Sequence, residues 1–205
     1  MADTADTGQG KPSNSELLQV WIPYRLQALE TMLWAYDKSH DFEWLEKCRC
    51  SWRGRLLLNG NNAAILNPMI EVGFIQARSL MEFMGLRVKK GHLASMGSRR
   101  PDDIGIEHFR DTHGVPLAKV SPQTVFATYN GEPAAAERAL VAMFDLANKG
   151  MAHLSGWNWG SYTDRELRDA CEGIRTLIQN NLYTPLGMPM PDAPRSSTAD
   201  ASSAP

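Results

Sequence analysis

Apolar residues recur at three- and four-residue steps in four segments of this chain, and no segment shows a convincing alternation of apolar with polar residues at a period of two. The first rhythm turns one face of an α-helix toward a core, and the missing second rhythm argues against half-buried strands. The sharpest stripe spans about 63–86, where Leu66, Ile70, Gly73, Ala77, Leu80 and Met84 line up and Phe74 and Met81 widen the band. Gly73 and Ala77 are small, so a neighbouring helix can approach closely there. A first helix is predicted over about 15–38, with Leu18, Ile22, Leu29, Leu33 and Tyr36 inward. Pro23 predicts either a kink or a start at Ile22 with the proline in the first turn. A shorter helix is predicted over 41–52, with Leu45, Cys48 and Trp52 inward. The third main helix opens at Glu132-Pro133 and runs to about Leu154, burying Leu140, Phe144, Ala147, Met151 and Leu154. The fourth runs from Thr163 to about Leu182, with Leu167, Cys171, Ile174, Ile178 and Leu182 inward and a capping box at Thr163 and Glu166. The expected fold is all-α: an antiparallel helical bundle with a long connection, about 89–131, between the second and third main helices.

A length of 205 residues suits one domain. Residues 16–187 are expected to form it, with disordered tails at 1–15 and 188–205, the second rich in Pro, Ser and Ala. The formal charge is -2. Each tail holds one acid in excess (Asp3 and Asp6 against Lys11; Asp192 and Asp200 against Arg195), so the body is neutral. Bulk charge therefore cannot hold this chain on nucleic acid, and an anionic partner must meet a local patch. Two acid-free basic stretches exist: Lys47, Arg49, Arg53 and Arg55; and Arg87, Lys89, Lys90, His92, Arg99 and Arg100. Each is either a solvated loop or part of a shared patch for RNA or a nucleotide.

No apolar run approaches the ~18 residues of a membrane span, and the start of the chain lacks the apolar core of a signal peptide, so a cytoplasmic protein with no membrane partner is expected. Three cysteines, Cys48, Cys50 and Cys171, do not make a disulfide framework. Cys48-Arg49-Cys50 lacks zinc-site spacing, and His108 and His113 have no third ligand at a regular interval. Neither a metal nor a cofactor is expected, and the phosphate-binding Gly-x-x-x-x-Gly-Lys, His-Glu-x-x-His and Gly-x-Ser-x-Gly strings are absent. Trp157 and Trp159 either plug one end of the bundle or stack on bases.

The most informative string is Ala147-Asn148-Lys149-Gly150-Met151-Ala152-His153-Leu154. With Leu140 at zero and about 100° per residue, Lys149 falls near 180° and His153 near 220°, both away from the inward stripe. A second subunit is the obvious cover for that face, which gives a homodimer along the third helix. This string resembles the Asn-Lys-x-x-Ala-His-Leu signature of small bacterial all-α proteins of the HEPN superfamily. Two further strings resemble the same proteins in the same order: Ala77-Arg78-Ser79-Leu80-Met81-Glu82-Phe83, and the Asp102-Asp103 segment from Arg100 to Phe109.

The resemblance implies an RNA- or nucleotide-associated protein of a bacterial defence or toxin–antitoxin system, with an antitoxin-type protein partner. Many HEPN domains are metal-independent endoribonucleases in which an Arg, four to six residues, then a His meet across a dimer axis. The histidine moves a proton near neutrality and the arginine clamps phosphate. By this likeness His153 is the catalytic candidate. The phosphate-binding candidates are Lys149, Asn148 and Arg78, joined by Lys89, Lys90, Arg99 and Arg100 of the basic connection. The positions open to the motif arginine are Leu146, Ala147 and Asn148, and none is basic. Lys149 carries charge without the planar fork. The chain is thus expected to be degenerate as a ribonuclease. The alternative is a non-catalytic homodimeric interaction module, with Arg78 in an ordinary ion pair beside Glu71 and Glu82.

Overall fold

Pro23 shapes the entry into the structure. A helical run begins at Asn14, capped by Ser13, whose Oγ accepts the Glu16 N–H at 3.2 Å. Proline has no N–H to extend an ordinary helical ladder. The chain accommodates it with a wide π-turn, Leu17–Trp21, in which the Ile22 N–H bonds to the Leu17 carbonyl. Helix α1 (Ile22–Asp41) follows with Pro23 in its first turn. In the π register the next donor, for the Leu18 carbonyl, is the hydrogen-free nitrogen of Pro23. The buried Tyr183 hydroxyl, from the far end of the chain, donates to that carbonyl instead, at 2.7 Å. The inward face of the run is Leu18, Ile22, Leu26, Leu29, Met32 and Ala35, while Leu33 and Tyr36 are half-buried at its edge.

The computed structural model describes residues 12–43, 45–129, 132–150 (the backbone alone for 149 and 150) and 163–191. It corrects the all-α expectation, because two antiparallel β-hairpins interrupt the helices. The segment 41–52 is not a short helix: its second half is β1 (Lys47–Trp52), paired with β2 (Arg55–Asn61). The second hairpin, β3 (Leu86–Lys89) with β4 (His92–Ser95), lies where the end of the second helix and the start of the long connection were expected. Both turns have two residues, Arg53-Gly54 and Lys90-Gly91, and all four have positive φ (49° and 75°; 53° and 79°). This is the type I′ geometry that matches strand twist. Leu57 is the extra residue of a bulge, since Cys50 pairs with Leu58 and Ser51 with Leu56.

Between the hairpins runs α2 (Ala63–Met84), whose predicted stripe, with Phe74 and Met81, is buried throughout. A Cβ on Gly73 would stand 2.3 Å from the Met32 Cβ, so hydrogen at this position is what lets α1 and α2 touch. After β4 come a 3₁₀ turn (Ile106–His108), α3 (Pro122–Thr128) and α4 (Pro133–Asp145), which passes into a π-turn at Leu146–Gly150. Helix α5 (Asp164–Ile178) opens on the predicted capping box, with the Thr163 N–H and Glu166 Oε2 3.0 Å apart, and closes in another π-turn, Gln179–Tyr183.

Cross-contacts fix the helix directions. Arg25 near the start of α1 reaches Ser79 near the end of α2, so these two run antiparallel. Tyr36 meets Asp164, Asp37 meets Arg168, Glu30 meets Arg175 and Leu18 meets Tyr183, so α5 is antiparallel to α1. No helix among the described residues is long and apolar enough to cross a membrane.

Replacing Tyr183 with Phe strands a buried carbonyl, at an expected cost of about 1–3 kcal/mol. Urea denaturation of the two proteins should show the midpoint falling with an unchanged slope. Burial also pushes the Tyr183 phenol up to about 12. A folded value above the unfolded one stabilises the protein fully below the ordinary tyrosine range and progressively less as pH rises toward 12. The alkaline loss of stability should therefore be shallower in Tyr183→Phe.

Candidate functional site

The predicted phosphate-binding residues separate into three environments. Arg78, on α2, donates Nε to Glu82 Oε1 at 2.8 Å and Nη1 to Asn148 Oδ1 in the turn after α4. Two strings distant in sequence thus meet, and the Arg78 side chain remains 40% exposed. Lys149 belongs to the same turn, with its side chain outside the described residues. His153, Trp157 and Trp159 also lie outside them.

Lys89 and Lys90 are exposed on the second hairpin, Lys89 opposite His92 and Lys90 in the turn. The two basic stretches do not form one patch. They leave opposite ends of α2, which is about 33 Å long at 1.5 Å per residue.

Arg99 is not a surface cation. Only 8% of its side chain is exposed. Its Nε donates to Glu107 Oε1 at 2.9 Å and its Nη2 to the Phe83 carbonyl at 2.7 Å, while Lys119 Nζ stands 3.3 Å from the same Glu107 oxygen. Arg99 pins the connection onto the end of α2. Burial favours the neutral Glu107, but hydrogen bonds from Arg99 and its own backbone amide, the Arg99 charge and Lys119 outweigh it, and the carboxyl sits below its ordinary value. Arg100 is exposed, and its N–H donates to Asp103 Oδ2 at 3.3 Å. His108 has a local role, accepting the Gly105 N–H on Nδ1 at 2.9 Å. Among the described residues no group of three or more His, Cys, Asp or Glu side chains is placed to hold a metal.

A groove of about 380 Å³ runs beside this network, bordered by Trp21, Arg25, Ser79, Glu82, Asp102 and Asp103. Asp102 and Asp103 come from the long connection, and Glu82 hydrogen-bonds the Arg78 that holds Asn148. Two of the three strings behind the resemblance line this groove, and the third reaches it only through the Asn148–Arg78–Glu82 hydrogen bonds. Sequence reasoning did not find its central residue. Arg25 is half-buried, stacked 5.5 Å from the Trp21 ring centroid, and donates Nε to Ser79 Oγ at 3.2 Å and Nη1 to the Trp21 carbonyl at 3.0 Å. Both acceptors are neutral. Burial lowers its pKa, with a smaller opposing effect of Tyr24. An arginine remains charged at neutral pH regardless. The available signal was the i, i+4 spacing of Trp21 and Arg25 across Pro23.

A larger hollow of about 560 Å³ lies beside Tyr129 and α5. Two of its arginines face carboxylates, Arg138 toward Glu166 and Arg165 toward Asp169, each at 3.6 Å. In the smaller groove Arg25 bonds to neutral acceptors instead, with Glu82, Asp102 and Asp103 also on its border. No family model matches the chain, and no curated protein or solved structure compared with it is significantly similar.

Glu107→Gln should destabilise the protein by about 1–3 kcal/mol at neutral pH by uncoupling Arg99 and Lys119 from a charged acceptor. Because the folded carboxyl has the lower pKa, its contribution is present above the ordinary glutamate range and disappears as pH falls through the folded value. Thermal melts from pH 7 to 3 should show a steeper acid decline for wild type than for Glu107→Gln.

Proposed function

We propose that this chain is an RNA- or nucleotide-associated protein that holds phosphate in the groove between Trp21, Arg25 and the end of α2. The observation that carries this reading is Arg25: a half-buried positive charge whose hydrogen bonds end on a hydroxyl and a carbonyl. A charge partly removed from water and bonded only to neutral groups is complemented by an anion, and guanidinium suits phosphate. The Trp21 ring is 40% exposed and offers a face to a base. Asp102 and Asp103 are acceptors for the hydroxyls of a ribose or the amino groups of a base. The volume falls within the range of small-ligand sites.

The resemblance to HEPN proteins supports the same class of partner. Arg78 brings to Asn148 the guanidinium that the motif positions themselves lack. Binding without efficient cleavage is the form of the proposal, with His153 and Lys149 as the residues on which any residual metal-independent cleavage depends. A defence or toxin–antitoxin role and an antitoxin-type partner rest on the resemblance alone.

Titration calorimetry with a purine nucleoside monophosphate, alongside filter retention of mixed RNA, tests the proposal. Arg25→Met should weaken binding about 10- to 100-fold, the equivalent of one charge-assisted hydrogen-bonding group, while circular dichroism shows the fold retained. Failure of the wild-type chain to bind either ligand removes the proposal. Incubation with RNA in EDTA, beside His153→Ala, should show no cleavage above background; cleavage that requires His153 restores the catalytic form.

A second reading, a homodimeric interaction module, is favoured by one face. Tyr24 and Val72 flank a shallow hollow between α1 and α2, and Ile75 is exposed one turn further along. If copies pair there, Val72→Glu should turn a dimer into a monomer by light scattering.

A further inference from the structure

The first hairpin does more than connect α1 to α2. From Lys47 to Asn61 it contains four cations and no acid. Cys48, Leu58 and Asn61 are half-buried near its base, and every other side chain of the two strands is exposed. A two-stranded ribbon with so little burial is only marginally stable alone, which is the condition of an element completed by a partner.

The register shows what that partner resembles. Trp52, 65% exposed, is directly opposite Arg55, so an indole face and a guanidinium share one side of the tip. Lys47, Arg49 and Asn59 share the other side, Arg49 opposite Asn59. The cations on that side repeat about every 7 Å, two strand residues apart. The exposed apolar residues do not gather into one face: Leu56 is opposite Ser51 on the lysine side, Leu57 is the bulge and Trp52 lies on the reverse. What the arm offers a partner is therefore its four cations, with no acid among them, and a single exposed indole, which is the chemistry of a polyanion that carries bases. A stiff duplex reaches one side only, and its bases are already stacked. A flexible polyanion with unstacked bases meets both sides.

We propose that the β1–β2 hairpin is a single-stranded nucleic-acid-binding arm, in which Trp52 stacks on a base and Arg53, Arg55, Arg49 and Lys47 follow the phosphates. The arm is separate from the Arg25 groove, and the proposal does not depend on that groove taking a nucleotide.

The test uses the full chain, a fluorescein-labelled single-stranded RNA of mixed sequence, the same RNA annealed to its complement, and anionic phospholipid vesicles. Anisotropy titrations at several salt concentrations compare wild type, Trp52→Ala and the double variant Arg53→Glu/Arg55→Glu. All the changed residues are exposed, and circular dichroism checks the fold. Wild type should prefer the single strand. Trp52→Ala should lose about 5- to 150-fold in affinity with an unchanged salt slope, as stacking releases no counterions. The double variant should bind at least tenfold more weakly, and its salt slope should be shallower by about 1.4, at 0.7 per phosphate contact on a single strand. Mononucleotide binding should be the same in all three, whereas Arg25→Met lowers it and leaves the loss of RNA affinity caused by Trp52→Ala in place. Equal RNA binding by all three proteins overturns the proposal, as does preference for vesicles or duplex. A dimer by light scattering that Trp52→Ala dissociates also overturns it, because the arm is then an interface between copies.

Discussion

A proline without a hydrogen to donate sets the geometry at the closing seam of the molecule. Beside Pro23 the helix widens over Leu17–Trp21, widening leaves the Leu18 carbonyl unfilled, and the hydroxyl that fills it comes from Tyr183, 165 residues later. That single hydrogen bond ties the first helical run to the last, in an interior where an unpaired carbonyl is costly. The exposed pair Asp37–Arg168 and the half-buried pair Glu30–Arg175 extend the seam, the first of them weak on its own. The same turn ends at Trp21, so the irregularity that satisfies the proline also presents the indole beside Arg25. Fold closure and the groove share one cause.

The helices were legible because their burial has the period of 3.6 that sequence displays. Leu66, Ile70, Leu80 and Met84 on α2, and Leu167, Ile174 and Leu182 across α5 and its final turn, are buried as their spacing dictates. The β1–β2 hairpin was not legible for the opposite physical reason: with neither face buried, no alternation is imposed on it, and Arg53-Gly54 lacks the asparagine or aspartate that marks such a turn. The β3–β4 hairpin did carry a short signal, because Leu86-Arg87-Val88-Lys89 alternates and a glycine follows Lys90; four residues are too few to stand out beside a long helix.

For the site, local spacing showed Arg78 beside Glu82 but could not show Asn148 arriving from a different helix. Arg99 illustrates the limit of charge counting. It sits in an acid-free stretch, yet it is consumed by Glu107 from outside that stretch, while Arg25, whose hydrogen bonds end on a hydroxyl and a carbonyl, stands in no basic run at all. What matters to an anion is the charge left after the fold has made its own pairs, and that quantity exists only in three dimensions.

The two hairpin tips carry a last implication. An L-residue with a positive φ brings its Cβ toward the neighbouring carbonyl, a conformational cost of about 1–2 kcal/mol that asparagine tolerates better than arginine or lysine. Arg53 and Lys90 both accept that cost, at φ of 49° and 53°, on the two most outlying points of their strands. A chain optimised for rigidity alone would place asparagine at both positions. Retaining long cations there trades stiffness for electrostatic reach, a compromise common where a protein's surface works on something other than itself.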